Sequence, residues 1–124
     1  MRTWLVAIFF TGVLGIGLPA SAHHGGAAMN DEIVEFKNVT VTKFSWQNPH
    51  CLVYFDVKDD KGNVVNWASE TSAPQALRLT GWEKTILKPG DTITIFMRTA
   101  KSGAPAGRLT KVVLANGTEL GGGA

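Results

Sequence analysis

Three histidines carry most of the chemistry this chain can offer: His23, His24 and His50. The residues before His23 read as a secretory signal. Arg2 supplies a short positive start, Trp4 to Leu18 is apolar apart from Thr11 and glycines, and Pro19-Ala20-Ser21-Ala22 ends in the small-x-small pattern that signal peptidase reads. Cleavage after Ala22 makes His23 the first residue, so its α-amino group and ring Nδ1 can chelate one ion in a way closed to an internal histidine. His24 adds a second imidazole. His50 follows the Asn48-Pro49 turn, where a short leader can reach it. Amine and imidazole nitrogens suit Cu(II) first and Ni(II) or Zn(II) less tightly. The expected metal ligands are therefore His23, His24 and His50, copper is the expected cofactor, and Trp46, Asn48 and Glu70 are candidates for a ligand cleft.

Plainer readings stand beside these. Paired histidines after a signal also serve as a solvated leader, and a histidine after a turn proline can simply bond to backbone. No methionine-rich segment accompanies them, since Met29 and Met97 are distant in sequence. Cys51 adjoins His50, but strand alternation sends neighbouring side chains to opposite faces, so Cys51 reads as a buried, inert thiol. No acid is placed to orient a Cys-His pair, and no nucleophile or enzyme is assigned. Trp46, Trp67 and Trp82 either stack a ligand or plug a core. Glu70 either lines a cleft or is solvated.

Composition limits what can position these residues. The chain has 124 residues, 44% hydrophobic and 18% charged, which fits one domain. Twelve Lys+Arg intermixed with ten Asp+Glu form no basic run, so no nucleic-acid partner is suggested. One cysteine excludes an intramolecular disulfide and a cysteine-built zinc site. The apolar run near the start is about fifteen residues, short of the roughly twenty that span a bilayer. The expectation is a small exported protein, periplasmic or secreted, with no membrane span after cleavage. Its partner would be a small ligand or metal ion, or else an unknown envelope protein.

The expected divisions are a signal at 1–22, a flexible glycine-rich leader at 23–32, a folded domain at 33–120 and a fraying tail at 121–124. From Ile33, Val34 and Phe36 share one alternation phase, Val39 and Val41 the other, and Phe44 and Trp46 return to the first. That pattern predicts one long strand with two bulges, the first at Asn38. Further strands are predicted from Cys51 to Val57, Val64 to Glu70, Thr92 to Thr99 and Arg108 to Leu114. A helix is predicted over Ala73 to Thr80, capped by Ser72, opened by Pro74 and ended by Gly81. Three strands, a helix and two strands make an all-β fold with one short helix, ordered like the five-stranded OB-like Greek-key barrel.

Several motifs together resemble a known family: Ala22-His23-His24, Trp46-Gln47-Asn48-Pro49-His50, Asn66-Trp67-Ala68 with Glu70, Gly81-Trp82, and Leu87-Lys88-Pro89-Gly90-Asp91. In combination they are similar to the small exported bacterial proteins of domain-of-unknown-function family 6152, over essentially the whole mature chain. The resemblance implies secretion and a β-barrel, and no established reaction. Family members carry a serine after the paired histidines, where this chain has Gly25.

Overall fold

The computed structural model describes residues 26–123. The expected signal segment, His23 and His24 lie outside them. A 3-10 turn at Gly26–Ala28 leads into six strands and one helix: β1 (Met29–Ser45), β2 (Leu52–Lys58), β3 (Val64–Glu70), α1 (Pro74–Arg78), β4 (Thr92–Ala100), β5 (Ala106–Val113) and β6 (Glu119–Gly121). The protein is mostly β-sheet with one short helix. Five strands follow the predicted order, and β6 is an addition.

β1 has 17 residues because it serves two partners. Its first part pairs with β4, and its second part, Thr40 to Ser45, pairs with β2. The register slips between Met29 and Ile33 and again between Phe36 and Val39 against β4, and between Val41 and Lys43 against β2; the first of these has no counterpart in the two predicted bulges. Asn38 takes a left-handed φ of 50° at the slip between Phe36 and Val39. Both phase changes in the sequence are therefore bulges that turn the strand's apolar set back toward one interior.

The sheet runs β3-β2-β1-β4-β5-β6, and β3 also pairs with β5. That last ladder is parallel, Ala68↔Ala106, Ser69↔Gly107 and Glu70↔Arg108, and it joins five strands in a cycle. Inside it, Val41, Val53, Phe55, Ile93, Ile95, Met97, Leu109 and Val112 are buried. Leu77 from α1, with Trp82 and Leu87 after it, completes the same core. Each such side chain contributes about 1.5–3 kcal/mol when fully removed from water.

Three local expectations are corrected. Met29–Glu32, expected in the leader, belong to β1, with Met29 opposite Ala100. Ladder pairing with β4 orders residues whose own hydropathy gives no period. The helix is confined to Pro74–Arg78 and its cap is Ala73, without a side-chain bond. The Ser72 hydroxyl instead reaches the Gly122 carbonyl at 3.4 Å.

The largest correction concerns residues 121–123, expected in a fraying tail, of which Gly121 and Gly122 are bonded into the fold. Leu120 is buried in β6, and Trp82 Nε1 donates to the Gly121 carbonyl at 2.8 Å. Thr71 Oγ1 donates to the Gly122 carbonyl, and Gly122 N–H donates to Thr110 at 2.9 Å. The backbone comes so close here that a Cβ on Gly122 would lie 2.3 Å from the Leu109 carbonyl oxygen. Glycine is required by that approach.

Candidate functional site

His50 sits between the Asn48-Pro49 corner, whose peptide bond is cis, and the start of β2. Its position is set by its successor. Cys51 N–H donates to the Ser72 carbonyl and Thr71 N–H donates to the Cys51 carbonyl, both at 2.9 Å. This exchange, continued by Leu52↔Glu70, fastens the end of β3 beside the loop that carries His50. Alternation then directs Cys51, Ser69 and Thr71 into the interior, where all three are buried, and leaves His50 and Glu70 half exposed.

His50 Nδ1 lies 2.8 Å from Glu70 Oε1. An ionised carboxylate only accepts hydrogen bonds, so Nδ1 carries the hydrogen; in the neutral ring the lone pair is then on Nε2. Carboxylate support of this kind fixes the tautomer and ring orientation of a metal-ligating histidine. Arg108 Nη1 stands 3.8 Å from the same Oε1. The side chains of His50, Glu70 and Arg108 are 39%, 41% and 38% exposed, so these contacts contribute about 0.2–1 kcal/mol each to stability. Their value is orientation.

Glu70 and His50 are thus brought together. Trp46 turns elsewhere: its ring meets Phe44 at 5.7 Å and lies under the Arg78 guanidinium at 5.3 Å. Asn48 is exposed in the loop. Among the described residues no group of three or more His, Cys, Asp or Glu side chains is arranged to hold a metal ion. The described part of the expected metal site is His50 with Glu70 behind it.

Cys51 is fully buried, and burial pushes its thiol pKa up. Trp82 is buried in the core. Trp67 is only partly buried, packs on Phe36 at 4.9 Å, and lines an apolar cleft of about 300 Å³ with Val57, Asp59, Val65, Gly103 and Pro105. Arg108 had no signal in sequence. It becomes a site residue through the parallel β3–β5 ladder, which no local period announces.

These features define a small β-protein that presents a half-exposed His-Glu-Arg cluster beside a cis-proline corner. The chain belongs to the family of unknown function DUF6152, which matches over residues 12–109. No curated protein and no solved structure matches it.

Proposed function

We propose that the protein is an exported, non-enzymatic OB-like Greek-key barrel, periplasmic or secreted, that binds a copper-type metal ion through His50 with His23 and His24. The observation that carries this reading is the 2.8 Å contact of His50 Nδ1 with Glu70. It leaves the neutral ring's Nε2 available as a ligand and supplies the carboxylate that such a ligand needs. The cycle of five ladders, with β1 shared between β2 and β4, supports the barrel.

Chain reach supports convergence. Lys101 N–H donates to the Ala28 carbonyl at 3.0 Å, so the leader departs beside the end of β4. The stretch from His23 to Ala28 spans at most about 17 Å when extended. From Lys101 back to Arg98 and across β5 to Glu70 is roughly 14 Å by strand rise and spacing. The test is Cu(II) titration of the mature protein, its His50→Ala variant and a form with two residues added before His23. Both changes are expected to weaken binding at least tenfold, and metal is expected to raise the Tm of the unaltered protein. Equal affinity in all three overturns the site.

The Trp67 cleft favours a second reading, a module that holds a protein partner with no metal. Co-purification of an envelope protein that is lost in Trp67→Ala would favour it. Among the described residues no helix is long and apolar enough to cross a membrane.

A further inference from the structure

Next to the His50 cluster the sheet places two arginines directly opposite each other, Arg98 on β4 and Arg108 on β5. Opposed residues on antiparallel strands point their side chains to one face, about 4.5–5.5 Å apart at Cα. Like charges in that position are unfavourable unless something answers them. The two strands approach closely at this point: a Cβ on Gly107 would fall 2.2 Å from the Arg98 carbonyl oxygen.

The internal counter-charge is insufficient. Glu70 is the carboxylate that meets Arg108, at 3.8 Å, and His50 already holds the same oxygen at 2.8 Å. Among the described residues no carboxylate pairs with Arg98, which is exposed. Of the charged residues close by, Lys111 pairs with Glu119 and Glu35 with Lys37. The ground beside the pair is low, since Ala68 and Ala106 occupy the register positions next to Glu70 and Arg108.

We infer that Arg98 and Arg108 form a seat for a small oxyanion. Two guanidinium forks facing one way offer paired N–H donors to two oxygens of a carboxylate or phosphoryl group. Arg98 supplies the unengaged fork. Arg108 supplies the second and keeps Glu70 as a spacer toward His50. The seat requires neither His23 nor His24 and no metal, so it stands or falls apart from the copper reading.

The experiment is calorimetric titration of the metal-free protein with inorganic phosphate and, separately, with malonate, at low ionic strength where exposed charges are least screened. Saturable binding of either anion is expected, weakened at least tenfold in Arg98→Gln and in Arg108→Gln. Lys84→Gln, the same charge change on an exposed residue away from the pair, should bind as the unaltered protein does. Preference for phosphate marks a phosphoryl ligand, and preference for malonate a carboxylate ligand. Thermal melts check that the variants are folded; Arg98 is exposed, so its variant tests the seat even if Arg108→Gln is destabilised. The absence of saturable binding, or affinities that fall equally in all three variants, overturns the inference.

Discussion

Glu70 and Thr71 are neighbours in sequence and belong to two differently built regions. Glu70 faces outward at 41% side-chain exposure and orients His50. Thr71 faces inward, fully buried, and its hydroxyl binds the Gly122 carbonyl of the carboxyl-terminal strap. The outward region is held by charged contacts in water, which contribute little to stability. The inward region is held by close backbone approach and buried hydrogen bonds, where a lost partner or an added atom is costly. One turn of alternation at the end of β3 therefore separates chemistry from stability.

That separation can be broken most forcefully at Gly122. Gly122→Ala is expected to lower unfolding free energy by about 3 kcal/mol through overpacking against Leu109, measured by urea denaturation, with anion affinity unchanged. Trp82→Phe keeps the ring in the core but removes the donor to Gly121, an expected loss of about 1–2 kcal/mol. Glu70→Gln should move stability by less than about 1 kcal/mol while weakening copper about tenfold. Should Glu70→Gln cost as much stability as Gly122→Ala, the two regions are not separate.

The smallest effect sharpens the contrast at Cys51. Its folded pKa is raised by burial, so in the unfolded chain the thiol ionises first, near its ordinary value of about 8.5. Stability from this group is complete below that value and declines as pH rises through it. Cys51→Ala should remove that slope above the ordinary thiol pKa. Native protein at neutral pH should alkylate far more slowly than urea-unfolded protein.

Local patterns made much of this legible. The phase changes at Asn38 and after Val41 marked two of the three register slips of β1, because each extra residue exchanges the faces of a half-buried strand; the slip between Met29 and Ile33 falls where the sequence shows no alternation. β3 has its predicted limits, Val64 to Glu70, because clear turn residues bound it. Cys51 was readable as buried from alternation alone. Arg108 was silent, since its meeting with Glu70 depends on pairing between strands distant in sequence. The strap was silent for another reason. Glycines carry no hydropathy, and their value here lies in the atoms they lack.

The short parallel ladder between β3 and β5 has a consequence for assembly. Its three pairs bring Glu70, from the β2–β3 hairpin, against Arg108, from the last long strand. Local hairpins can form early, but contacts of such high sequence separation wait until the intervening loop is closed. An anion gripped by Arg98 and Arg108 together with a cation on His50 would then act as a clasp across the seam, felt only by chains whose circuit of strands is complete.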